Sequence, residues 1–273
     1  MSGLPRTRKK HRTQKAGRSD PPRLEETCQC YNPARQERCP NKLYGKTFYC
    51  VDHQQCPQAP QNGAEPKYQP ELYNNNPNVY KSHNCYSYSM NVIDPKLVNK
   101  CKRNSNKNTC RQSFHQPGAL HGNRFTLNTE ERRTCPIVEK LMITDVPAIK
   151  KTSFYQSCPN RMSKIALVVD PGEDYHYYRQ DADGLWSHKD GSNKVKRYDA
   201  MKKTIVNPKY AARDYTVQGS DLNYEDFCGF YCVPRHDAIH LGQGGSKVTR
   251  QTKKMRKLKQ KLLKWWNGTS RRK

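Results

Sequence analysis

The chain of 273 residues contains no apolar run long enough to cross a membrane, and its N-terminus lacks the apolar core of a secretory signal. The first absence argues against a helical membrane protein. The second sets the expectation of a protein that is not secreted by a signal peptide. Apolar residues are scarce throughout: 33% of the chain is hydrophobic and the mean hydropathy is −1.12. Such a chain does not fill one core from end to end, so one folded domain with disordered ends is expected. Phenylalanine is rare, with six residues against 17 Tyr, which points to a polar-tipped core or a stacking surface.

Acidic residues are missing altogether from 246–273, where twelve Lys and Arg stand, and residues 1–27 carry eight bases against three acids. The ends thus supply +12 and +5 of the net charge of +26. Ends of this kind read as tethers for DNA, RNA or another polyanion, or as solubilising and nuclear-targeting tails. Within the last stretch Met255, Leu258, Leu262 and Trp265 or Trp266 fall at helical spacing among lysines. Residues 246–266 therefore form a candidate amphipathic helix for an anionic membrane surface, a protein groove or nucleic acid.

Twelve cysteines are many for this length. Without secretion they read as metal ligands, a nucleophile and reduced core thiols; maturation inside an oxidising particle would reverse that. Residues 28–56 form a small module, Cys28-x-Cys30, then Cys39, then Cys50-x2-His53-x2-Cys56. So short a segment needs a metal or disulfides to staple it; zinc takes four N or S ligands in a tetrahedron, and Cys30, Cys39, Cys50 and His53 are the preferred set for a structural Zn2+. Cys28 and Cys56 remain as spare ligands or a disulfide. Residues 57–82, with five prolines and Asn74-Asn75-Asn76, read as a linker or an arm lying over the domain.

The strongest pattern runs from Lys164 to Gly191. Ile165 to Val169 is an apolar, β-branched run that predicts a buried strand. Asp170-Pro171-Gly172 is a turn, Tyr175 to Tyr178 a second strand, Asp183-Gly184 another turn and Trp186 the start of a third element. This meander holds His176 and His188. Upstream, Asn84-Cys85-Tyr86-Ser87-Tyr88 predicts a short helix opened by Cys85. A thiol at a helix N-terminus leans towards thiolate, and a histidine from a later sheet can complete a nucleophile–base pair. Asp199 and Asn207 are candidates for the group that orients the imidazole. The competing reading of Cys85 is a buried small hydrophobe or half a disulfide. Farther on, Phe227 to Val233 predicts a last strand, in which Cys228 and Cys232 face one side as core thiols. Cys101, Cys110, His115 and His121 read as a surface loop in preference to a second metal site.

These residues carry a resemblance. Asn84-Cys85-Tyr86-Ser87-Tyr88, Pro117-Gly118, DYHYYRQDADGLWSHKDG at 174–191, Asp199, Ile205-Val206-Asn207-Pro208, Arg213-Asp214-Tyr215 and FCGFYC at 227–232 resemble a family of large DNA viruses and some bacteria. Its architecture is similar to NlpC/P60-like, papain-like proteins. The resemblance implies an α+β domain over 83–240, with a central antiparallel sheet and a nucleophile helix. It also implies a thiol hydrolase acting on a peptide or other amide. In it Cys85 is the nucleophile, His176 or His188 the base, and Asp199 or Asn207 the third group. The setting it implies is a virion or the host cytoplasm or nucleus. The second function class is a non-enzymatic virion or nucleic-acid-associated structural protein that uses the domain as a scaffold.

Overall fold

A computed structural model describes residues 28, 30–32, 37–42, 58–103, 110, 114–122, 133–235 and 241. The basic arm at 1–27, Cys50, His53 and the candidate helix at 246–266 lie outside the described residues. Near the N-terminus β1 (Tyr31–Asn32) pairs antiparallel with β2 (Glu37–Arg38). The rest is an α+β domain. Helices α1 (Glu71–Asn74), α2 (Pro77–Ser82), α3 (Cys85–Ser89), α4 (Pro95–Arg103) and α5 (Cys135–Asp145) precede a six-stranded antiparallel sheet. Its strands are β3 (Lys150–Thr152), β4 (Met162–Asp170), β5 (Asp174–Gln180), β6 (Trp186–Lys189), β7 (Val195–Lys196) and β8 (Asp226–Pro234), in the order β3-β8-β4-β5-β6-β7.

Local chemistry accounts for the elements. In β4 the apolar run is buried along nearly its whole length, because both faces of the sheet are covered. The turn to β5 has Gly172 at φ 83, a conformation that glycine alone adopts without strain. Helix α2 starts with Asn76 accepting from the Asn78 amide and Pro77 in the first turn. Helix α3 has a reciprocal cap: Asn84 Oδ1 accepts from Ser87 N at 3.2 Å, and Ser87 Oγ accepts from Asn84 N at 3.1 Å. Helix α5 begins one residue before Pro136.

Strand alternation divides the core into two layers. On one face Ile165, Leu167, Val169, Tyr175, Tyr177 and Tyr231 pack against Tyr86 and Met90 of α3 and its C-cap, and against Val138 and Met142 of α5. On the other, Ala166, Val168, Tyr178, Trp186 and Phe230 meet Ile205, Ala211, Tyr215 and Tyr224 from the irregular segment between β7 and β8. The segment expected as a linker is bound to this domain. Asn62 Nδ2 donates to the carbonyls of Cys158, Pro159 and Met162, and Gln180 Nε2 donates to the Ala59 carbonyl. It then forms α1 and α2.

The expectation of reduced core thiols is overturned. Cys101 pairs with Cys110, Cys135 with Cys228, and Cys158 with Cys232. Nor do Cys228 and Cys232 share a face. The β4–β8 register shifts between Leu167 and Val168, which pair with Gly229 and Phe227, so Cys228 is the extra residue of a bulge. That one residue changes the parity of the strand. Cys228 reaches the first residue of α5, while Cys232 joins Cys158 on the opposite face. The two bridges close loops of 93 and 74 residues, so the unfolded chain loses much of its freedom. Replacing Cys135 and Cys228 together by Ala should lower the unfolding free energy by about 2–5 kcal/mol, read by denaturant titration under non-reducing conditions.

Candidate functional site

The alternation that builds the two layers also distributes the candidate residues. Tyr175, Tyr177 and Arg179 of β5, with Ser187 and Lys189 of β6, face α3. His176 and Tyr178, with Trp186 and His188, face the other way. Cys85, at the start of α3, belongs to the first layer and both histidines to the second. The sheet therefore lies between the thiol and the two imidazoles.

Cys85 is a thiol 5% exposed, and its Sγ lies 3.9 Å from the Tyr175 carbonyl. The expected helix-terminus effect does not win here. Burial pushes the Cys85 pKa far up, and the nearby Asp174 carboxylate adds to it. A five-residue helix offers a small dipole against that desolvation.

On the other face His176, His188 and Asp190 converge. His176 Nε2 is 2.8 Å from His188 Nδ1. Asp190 Oδ1 is 3.0 Å from His188 Nδ1 and 3.4 Å from His176 Nε2. The other ring nitrogen of His188, Nε2, donates to the Tyr198 carbonyl at 2.9 Å. Lys196 Nζ holds Asp190 Oδ2 at 2.5 Å. Burial lowers the His176 pKa to about 3, against the pull of Asp190, so the ring is neutral near pH 7. Burial alone would raise the Asp190 pKa, but His188, His176 and Lys196 outweigh it and hold the carboxylate well below its ordinary range. Among the described residues this trio is the group of His, Cys, Asp and Glu side chains placed to hold a metal ion. Asp190, the member the sequence reading missed, is two residues beyond His188; its one sequence signal is its place at the turn after β6.

Asp199 does not orient an imidazole. Its Oδ1 accepts from the amides of Met201 and Lys203 and its Oδ2 from Ala212, so it organises the turn that follows Tyr198. Asn207 Oδ1 likewise accepts from the Lys209 amide. Of the zinc set, Cys30 is buried beside Cys28 and Cys39, and the Cys30 sulfur is in a disulfide. A disulfide sulfur has no thiolate to give a metal, so in this state Cys30 is not available as a ligand. His115 is buried 3.5 Å from Asp94, and His121 stands 3.4 Å from Asp145; Cys101 and Cys110 are in their own disulfide.

The rest of the Tyr-Arg-Gln-Asp and Trp-Ser-His-Lys string builds the structure around these groups. Arg179 donates to Asp181 Oδ1 through Nε and Nη2, to Asn91 Oδ1 through Nη1 and to the Tyr88 hydroxyl through Nη2. Lys189, fully buried, places Nζ 2.6 Å from the carbonyls of Tyr80 and His83 and 2.7 Å from that of Gly191. Burial lowers its pKa to about 7. Three carbonyls nonetheless take three N–H bonds, which only the ammonium supplies. Exchange of Lys189 for Met should cost about 3 kcal/mol or more, because three buried acceptors lose their donor. Thermal or denaturant unfolding of that variant checks it.

Acid should weaken the fold. His83 is fully buried, accepts from the Asp94 amide through Nε2 and donates to the Val79 carbonyl through Nδ1. Burial lowers its pKa to about 4 from an ordinary 6.5, and burial lowers that of His115 too. The unfolded chain therefore binds protons that the folded chain refuses. Stability is full above pH 6.5 and falls as the pH drops towards 4, by roughly 3 kcal/mol for His83. Denaturant midpoints measured across that window, with a shallower slope in His83→Asn, are the check.

No protein-family model matches this sequence, and no solved structure matches this fold. Among the described residues no helix is long and apolar enough to cross a membrane. The chain is 30% identical over 167 residues to insoluble matrix shell protein 1 of Ruditapes philippinarum, an alignment covering 61% of this chain and 89% of that protein. With nearly the whole of the relative spanned at that identity, this chain belongs to the family of insoluble matrix shell protein 1.

Proposed function

We propose that the chain is a non-catalytic structural component of an extracellular, insoluble matrix. In this reading the disulfide-linked domain is a rigid body and the basic ends are tethers for acidic polymer. The observation that carries the reading is the disulfide pattern. Cys135–Cys228 and Cys158–Cys232 tie both faces of the sheet to their coverings, and such bridges persist in oxidising compartments. The relative is by name an insoluble shell matrix protein. The charge agrees, since +17 of the net +26 lies in the two terminal stretches and acidic matrix polymer is a polyanion as DNA is. The same charge supports a nucleic-acid partner equally; the oxidised cysteines favour the extracellular one.

The thiol hydrolase and its papain-like fold form the second reading. In its favour, α3 opens on Cys85 and packs against the sheet. Against it stand the buried, hard-to-ionise thiol and the imidazoles on the far face, which leave the nucleophile without its base. A zinc-stapled N-terminal module would accompany the second reading, in a compartment that keeps its cysteines reduced.

Two measurements separate the readings. Iodoacetamide labelling of the oxidised full chain at neutral pH, followed by peptide mass spectrometry, should find Cys85 slower than an exposed thiol. His176→Ala and His188→Ala should leave that rate unchanged. Fast labelling that either substitution abolishes would restore the hydrolase. The full chain should also bind immobilised polyaspartate, losing affinity steeply with salt and on exchange of the lysines and arginines of 246–273 for glutamine. Binding indifferent to both would remove the tether.

A further inference from the structure

We propose that His176, His188 and Asp190 form a zinc(II) site, built into the face of the sheet opposite Cys85. His188 anchors the trio. Its Nε2–H is committed to the Tyr198 carbonyl at 2.9 Å, which fixes the tautomer and turns the Nδ1 lone pair towards the cluster. There it meets His176 Nε2 at 2.8 Å and Asp190 Oδ1 at 3.0 Å, and the third edge of the triangle is 3.4 Å. A single proton on His176 Nε2 does not satisfy this arrangement. Even shared between both acceptors, it leaves the His188 lone pair facing the carboxylate oxygen. Either a second proton, on His188 Nδ1, or one metal cation at the centre satisfies it, and titration with zinc separates the two.

The dimensions fit such a cation. Tetrahedral zinc with bonds of 2.0–2.1 Å sets its ligands about 3.3 Å apart, and the observed edges are within about half an ångström of that. Two imidazoles and one carboxylate suit zinc; calcium and magnesium ask for oxygen cages. Lys196 holds the far oxygen of Asp190 at 2.5 Å, which orients the carboxylate and leaves Oδ1 to the metal.

A second observation points to the same place. The hydroxyls of Tyr178 and Tyr215 are buried without a hydrogen-bond partner. The Tyr178 ring lies 5.1 Å from each imidazole, and Lys196 Nζ stands 5.3 Å over the Tyr215 ring. Both rings thus border the charged groups of the trio, and both carry a hydroxyl without a hydrogen-bond partner. The Asp190 side chain is 29% exposed while His176 and His188 are buried, so the ion has a route in. This site is separate from the cysteine-rich module at 28–56, and it does not depend on the matrix reading.

The test uses the oxidised full chain, stripped with chelator and with its thiols alkylated so that cysteines do not compete. Zinc chloride is then titrated by calorimetry, and histidine-selective 15N spectra are recorded. The first equivalent of zinc should move the ring nitrogens of two histidines, identified by loss of signal in His176→Gln and His188→Gln. Asp190→Asn, which keeps shape and removes charge, should weaken binding about tenfold or more. Imidazole signals unmoved by equimolar zinc would overturn the proposal, and that outcome is read on the wild type alone, whether or not a variant folds. Undiminished affinity in folded Asp190→Asn and His176→Gln would overturn it equally.

Discussion

A buried ammonium organises this domain. Lys189, at the end of β6, reaches into the helical layer and meets three carbonyls: two where α2 ends, at Tyr80 and His83, and one at Gly191. An ammonium in a protein interior is costly unless each of its donors is satisfied, and here each has a backbone acceptor. The end of α2 supplies the negative pole of a helix as well. One side chain thus sets the distance between α2 and the sheet, and with it the point from which Asn84 starts α3. Arg179, on the neighbouring strand β5, does the same for the other end of α3, binding Tyr88 and Asn91 while neutralised by Asp181.

That pair of cations gives the most distinctive string of the sequence an architectural meaning. Tyr, Arg and Asp, then Ser and Lys, sit at alternating positions because half of them must reach α3 and the helix before it. The residues between them, His176, Tyr178, Trp186 and His188, fill the opposite layer. A motif that resembles catalytic machinery in one dimension is, in three, two interleaved sets of contacts on two faces of one sheet. The hydrolase reading rests on bringing Cys85 and one of these histidines together, and strand parity places them on opposite faces of the sheet.

The oxidised cysteines complete that frame. Lys189 and Arg179 secure the helices that precede the sheet, whereas Cys135–Cys228 and Cys158–Cys232 secure α5 and the segment before β4 to the last strand. Strand β8 comes last in the chain yet lies between β3 and β4, so the sheet cannot be completed until the C-terminal part of the domain arrives. Pairings of such long range are entropically expensive, and covalent ties at β8 act on the element whose placement costs most.

Local chemistry made much of this legible in advance. The apolar β-branched run of β4, the Asp170-Pro171-Gly172 turn, the strand from Tyr175 and the last strand follow from short-range preferences that act in any context, as does the start of α3 at Cys85. The sequence also determined the distribution of charge, which depends on no fold. Tertiary structure alone decided which residues met. A single bulged residue in β8 sent Cys228 and Cys232 to opposite faces, where regular alternation had placed them on one. Burial overrode the dipole of a short helix and kept Cys85 protonated. Asp190 joined two histidines because a turn folded it back under them. Each outcome depends on the parity of a strand or the depth of a side chain, quantities fixed by long-range packing and absent from any local pattern of residues.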